Sequence, residues 1–287
     1  MIFKKLSKLI PKQSRLIILI TVVPCIVLGL LAYRWINANN PKQSRQEPEM
    51  KKDEPNVIGW PAVQTLSLSG VSQISKEQLL LCKKEINFGN EKFRLADKSN
   101  YGERNVKDQI GRDIPHNPEL IVLHETVMSA DETIKLFQTP HPNDNDQGSY
   151  HALVDRSGSL IRTVPDENRA YGAGYSRFGD FTVYSKSKDN FSINNVALHI
   201  SLETPADGRS DTASHSGYTK EQYNALAKQV LLWQAEYRIP VFRITTHANV
   251  DRSHSRYDPR VFRWDVFDYY HRQHAKTCGL DHLILQT

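Results

Sequence analysis

The chain has 287 residues, of which 24% are charged and 39% hydrophobic, an ordinary balance for one good-sized domain with appendages or two small domains. Its net charge of +5 is unevenly placed, because residues 1–52 carry ten Lys or Arg against two Glu, which leaves the other 235 residues at −3. A nucleic-acid-binding protein would carry its basic footprint on the folded part, so this distribution argues against nucleic acid as a partner.

The first 15 residues form a basic segment, and Leu16 to Tyr33, "LIILITVVPCIVLGLLAY", follow as an uncharged run of 18 residues. Such a run makes about 27 Å of helix, just enough to cross a bilayer core. Five positive charges precede it, which places the N-terminus in the cytoplasm and the rest of the chain outside. A cleaved signal peptide is the alternative. The apolar run is long for one, and Ala32-Tyr33-Arg34 is a poor small-residue cleavage site. The expectation is therefore a single-pass membrane anchor over residues 16–33, with an extracytoplasmic or periplasmic domain behind it.

Residues 34–58 are polar, rich in Pro and Lys and without periodicity, and read as a flexible tether. Residues 59–104 read as an N-terminal extension packed on the main domain, with a helix at "SKEQLLLCKKE". Cys82 lies in that helix and Cys278 near the C-terminus, so the pair brackets the folded region. An extracytoplasmic location permits a disulfide between them, and two free buried thiols are the other reading.

From Asn105 onward, in residues 105–287, the local signals sharpen. "LIVLH" (Leu120 to His124) is a short buried strand, and "SADETIKLF" opens a helix with a Ser129–Glu132 capping box. "YHALVDRSGSLIRTV" reads as a hairpin turning at Arg156-Ser157-Gly158, and Asn195 to Glu203 as another strand. Thr219 and Gln222 cap the clearest helix, whose Tyr223, Leu226, Val230, Trp233 and Tyr237 share a face. "VFRITTH" then returns as a strand and "VFRWDVFDYYHRQH" as a last amphipathic helix. Strands alternating with helices imply an α/β sheet covered by helices.

His124 and His247 each end a strand, where ligands collect in open α/β sheets. Asp258 lies on the loop after His247, and Pro259 narrows the directions open to it. Two histidines and a carboxylate are a three-ligand set of the kind that holds a catalytic zinc. With eleven histidines in the chain, spacing alone leaves open that these are core or surface residues.

The ordered set "IVLHET", "SYHALVDRSGSLIRTV", "NNVALHISLE", "YRIP", "ITTHANV" and "YDPRVFRW" resembles the zinc-dependent N-acetylmuramoyl-L-alanine amidases, the superfamily that includes the peptidoglycan recognition proteins. The resemblance covers roughly residues 105–272. It implies a central mixed β-sheet flanked by helices, a Zn2+ in a surface groove, and a peptidoglycan or muropeptide substrate cut between N-acetylmuramic acid and L-alanine. By position it implies His124, His247 and Asp258 as metal ligands, Arg256 in place of a catalytic lysine, and Tyr150 near the metal. His199 stands in the central strand where many members carry a glutamate, and is expected as the general base. His151 is expected to be structural.

Two further departures accompany His199. Gly172 replaces the histidine of a Trp-His-Ala-Gly motif, and Arg260 replaces a glycine after Asp-Pro. Arg256 is expected to stabilise an oxyanion, since a guanidinium does not deprotonate but presents a planar fork of donors. The catalytic domain is expected to be monomeric. The alternative reading is a membrane-tethered receptor that binds peptidoglycan without cutting it.

Overall fold

The computed structural model describes residues 74–284 apart from 88, 90, 180, 188–189 and 211. The expected basic segment, membrane anchor and tether lie outside the described residues. Among the described residues no helix is long and apolar enough to cross a membrane.

The first described element is α1 (Lys76–Glu85), followed by β1 (Lys92–Phe93) and β2 (Tyr101–Glu103). Next come β3 (Leu120–Glu125), α2 (Ala130–Gln138), β4 (Ala152–Val154), β5 (Leu160–Arg162) and β6 (Asn168–Ala170). A loop carrying the small pair β7 (Tyr184–Ser187) and β8 (Asn190–Phe191) leads to β9 (Ala197–Leu202) and the long helix α3 (Lys220–Tyr237). The chain finishes with β10 (Ile244–Thr246), the single turn α4 (His247–Val250) and α5 (Trp264–Cys278).

Six strands form one mixed sheet in the order β1-β5-β4-β9-β3-β10. Only β4 and β5 run antiparallel, as the hairpin through Asp155 and Gly158 requires, and the other neighbours are parallel. Parallel strands are normally covered on both faces, and β3 and β9 are buried along their whole length. Strand alternation sorts their side chains. Ile121, Leu123, Leu198, Ile200 and Leu202 join the core beneath α3 and α5. Leu120, Val122 and Ala197 join Phe178, Ile193 and Val250 on the opposite face. His124, His199 and Ser201 fall by the same alternation on that second face, together with the loops.

Local chemistry sets the helix starts. Ser129 and Glu132 satisfy each other's backbone N–H at the start of α2, as Thr219 and Gln222 do for α3. Two expected boundaries move. "VFR" (Val241–Arg243) forms a 3-10 turn, so strand β10 is only Ile244–Thr246, and α5 begins at Trp264 rather than Val261.

The segment before Asn105 is woven into the sheet. β1 adds its edge strand beside β5, and β2 pairs with β6. α1 packs through Cys82 and Ile86 against Leu231 and Leu232 of α3 and Ala275 of α5. A disulfide joins Cys82 to Cys278 at the end of α5, with Cα atoms 4.9 Å apart.

Candidate active site

His124 lies near the end of β3 and His247 follows β10 directly as the first residue of α4, so two adjacent parallel strands deliver both imidazoles to one place. Asp258 returns on the loop between α4 and α5, where its carbonyl accepts the Ala248 N–H at 3.0 Å. Asp258 Oδ2 is 3.2 Å from His124 Nδ1, and Asp258 Oδ1 is 2.9 Å from His247 Nδ1. The His124 and His247 ring centroids are 4.6 Å apart. One ligand atom from each of the three residues fits within 4.8 Å of the others.

The second of these contacts is close without being a hydrogen bond. His247 Nδ1 is buried and has no hydrogen-bond partner although the carboxylate is so near. A buried imidazole nitrogen left without a hydrogen bond beside a carboxylate, with a second imidazole on the same carboxylate, is a donor set that suits a metal ion. Protonation agrees with this. Burial pushes the His124 imidazole down to about 4, so it is neutral at neutral pH. Burial alone would raise the Asp258 carboxyl, but its contacts with His124 and His247 outweigh that and hold it well below the usual carboxylate range. A neutral imidazole and an ionised carboxylate are the forms that bind metal, and by this test the residues fit a divalent cation.

The triad opens into a groove of about 840 Å³, whose walls include Tyr150, Tyr171, Tyr175, Arg169 and Arg256. Tyr150 stacks on the His124 ring at 4.6 Å between centroids. Burial pushes its phenol well above the ordinary value, so it remains a hydrogen-bond donor at neutral pH. Arg256 is exposed on the groove wall, and its charge is felt at both His124 and Tyr150. Its loop is shaped by Asp251, whose carboxylate accepts the backbone N–H groups of Ser253, Ser255 and Arg256. Burial would raise the Asp251 carboxyl, but those bonds and the Ser253 hydroxyl bring it down to about 2.

His199 requires a correction. Its ring is fully buried, and its Nδ1 meets His124 Nε2 at 2.9 Å, on the side of that ring facing away from Asp258. A base for water in the groove would have to sit on the other side. The β9 residue level with His124 is Ser201, while His199 is level with Val122. His151 Nδ1 accepts the His199 backbone N–H at 3.0 Å and so ties β4 to β9.

The departures at Gly172 and Arg260 also find partners. A Cβ on Gly172 would lie 2.5 Å from the His199 ring, so the imidazole fills the space that a side chain at 172 would need. Arg260 is buried and donates to both oxygens of Glu125, which also accepts from His215, Tyr218 and Thr204. Glu125 is thus committed to holding the Asp258 loop and is not a free base. Sequence reasoning passed over Asp251 and the Glu125–Arg260 pair. Ser at two and four residues after Asp251 was a legible turn signal. Nothing local announced that Glu125 and Arg260 would meet.

The model of the family described as N-acetylmuramoyl-L-alanine amidase matches residues 114–261, just over half of the chain and all of the triad. The chain belongs to that family. Among solved structures, the amidase is similar to a selenomethionine derivative of AmpD at 23% identity and a TM-score of 0.44, covering 64% of this chain and 95% of that one. It is also similar to the Staphylococcus aureus hydrolase AmiA in complex with its ligand, at 15% identity and a TM-score of 0.44, over 75% and 98% of the two chains. AmpDh3 from Pseudomonas aeruginosa, in complex with anhydromuramic pentapeptide, shares 18% identity at a TM-score of 0.38 over 57% and 58%. No curated protein matches the sequence.

Proposed function

We propose that the amidase is a zinc-dependent peptidoglycan hydrolase that cuts the amide between the lactyl group of N-acetylmuramic acid and L-alanine of the stem peptide. The observation that carries this reading is the convergence of His124, His247 and Asp258, with the buried His247 Nδ1 unpartnered beside the Asp258 carboxylate, in a chain of the amidase family. Those three residues would hold the ion. Zinc, when bound, supplies a Lewis acid that brings the pKa of a water toward neutrality and polarises a carbonyl.

The chain's own residues do the rest. The groove takes the substrate so that the scissile carbonyl faces the triad, beside Tyr150 and Arg256. The oxygen of water adds to the carbonyl carbon, the C–N bond breaks, and a proton goes to the leaving alanine amine. Arg256 keeps its charge throughout and offers its donor fork to the developing oxyanion, a term that is often the largest in acyl transfer. Tyr150, a protonated phenol against His124, donates a hydrogen bond that orients water or the carbonyl. His199 takes no part as a base. The domain would act outside the cytoplasm, tethered by the segment at residues 16–33, where its substrate lies.

The test is to incubate the full chain, in detergent, with purified peptidoglycan, with and without a chelator, and to follow released fragments by mass spectrometry. Stem peptides with a free L-alanine amine are expected, abolished by chelator and by Asp258→Ala. Muropeptide binding without cleavage, in protein shown to hold zinc, would replace this reading with that of a receptor.

A further inference from the structure

We infer that His199 is a positioning residue for the metal, a buried imidazole that holds His124 in its ligating orientation and tautomer from behind. The inference rests on the metal-site reading above and goes beyond it, since the His-His-Asp set is complete without His199.

The geometry is specific. His124 turns Nδ1 toward Asp258 and the triad, and Nε2 toward His199 Nδ1 at 2.9 Å. A neutral imidazole carries one proton, so a ring whose Nδ1 lone pair faces a cation must keep its N–H at Nε2. That N–H then needs an acceptor, and His199 Nδ1 is the atom it meets. Partners of this kind fix tautomer and ring orientation in metal sites. His199 must in turn carry its own proton on Nε2, an atom that is buried and unpartnered in this structure. An orphaned buried donor is costly and calls for an explanation. The explanation here is that Nδ1 is needed as an acceptor.

Three features hold the His199 ring in place. Its backbone N–H is fixed by His151, its own strand is paired on both sides, and Gly172 leaves the ring its space. The Gly172 contact is tight enough that even a methyl group would have to displace the imidazole or the loop. His199 and Gly172 thus form one unit, in which the glycine admits the ring and the ring supports the ligand.

The experiment measures zinc affinity of the full-length protein by competition with a chromophoric chelator, beside folding controls by circular dichroism and thermal melting. His199→Leu keeps the volume and removes the acceptor, and is expected to bind zinc roughly 10–100-fold more weakly while staying folded. His199→Asn places a carbonyl oxygen near the position of Nδ1 and is expected to recover most of that loss, which a purely space-filling role would not allow. Gly172→Ala, which crowds the ring from the other side, is expected to lower the affinity as well. In addition, 15N spectra of the zinc-loaded wild type are expected to show His199 protonated at Nε2, a readout that survives even if the leucine variant fails to fold. Wild-type affinity in a folded His199→Leu protein, or His199 protonated at Nδ1 in the zinc-loaded wild type, overturns the inference. If wild-type protein binds no zinc, the metal-site reading falls first and takes this inference with it.

Discussion

At the scale of single residues, Arg256 separates chemistry from metal binding. It lines the groove and is not a member of the candidate ligand group, and Asp251 holds its backbone. Arg256→Ala is therefore expected to keep full zinc content while kcat/KM falls on the order of 100- to 1000-fold, the loss typical of removing one oxyanion donor. Loss of zinc in that variant, measured by atomic absorption, would remove Arg256 from its assigned role. His271 gives a second residue-level expectation, away from the groove. It is fully buried, and burial pulls its pKa down from 6.5 to about 3. The folded value lies below the unfolded one, so the unfolded chain takes up the proton first as pH falls. The contribution is complete above pH 6.5 and is lost progressively between there and about pH 3, on the order of 1 kcal/mol per pH unit. Urea melts across that window should show the slope, and His271→Gln, whose amide reaches the position of the Nε2 that meets Gln234, should lessen it while buried His124 keeps its own share. The three candidate ligands form a legible set because His124 lies near the end of a strand, His247 follows one and Asp258 sits beside a proline. The place of His199 was not readable, because a shift of two residues along a strand keeps the same face and changes only how far along it the ring sits.

At the scale of elements, the loop between α4 and α5 is pinned from below by a buried ion pair. Arg260 and Glu125 are nearly inaccessible, and Arg260 stands two residues beyond Asp258. Removing one partner leaves the other charged and uncompensated. Arg260→Met is expected to destabilise the protein by about 3–5 kcal/mol in denaturant unfolding, and adding Glu125→Leu should recover part of the loss. A cost for Arg260→Met below about 1 kcal/mol would mean that water reaches Glu125 and the pair does not hold the loop. Capped helices and buried strands were legible because their signals are local, as with Ser129 and Thr219. The Glu125–Arg260 pair joins residues 135 positions apart and left no such trace. The edge strand β1 was missed for another reason: two residues with both side chains exposed carry no usable periodicity.

At the scale of the molecule, α1 is fastened to the end of α5 by the Cys82–Cys278 bond across a sequence separation of 196. Closing so long a loop in the unfolded chain corresponds to about 5 kcal/mol in the chain-entropy account, although measured values more often fall near 2–4. Cys82→Ser is expected to lower unfolding free energy within that range and to leave the distant groove with its zinc affinity intact. Wild-type stability after full reduction would show that the apolar packing around Cys82 and Ile86 suffices alone. The α/β class was visible in the order of strands and helices. The way residues before Asn105 complete the sheet was not, because pairing over such distances is decided by the assembled fold.

The same bond makes the amidase a covalent ring between Cys82 and Cys278. A single peptide-bond cut in any loop of that ring, such as the exposed stretch around Ala213, opens the ring but releases no fragment. The nicked chain would migrate near its intact mass without thiol and separate into two pieces with it. A nicked amidase would thus keep both halves of its triad, His124 on one side of such a cut and His247 with Asp258 on the other, within reach of each other.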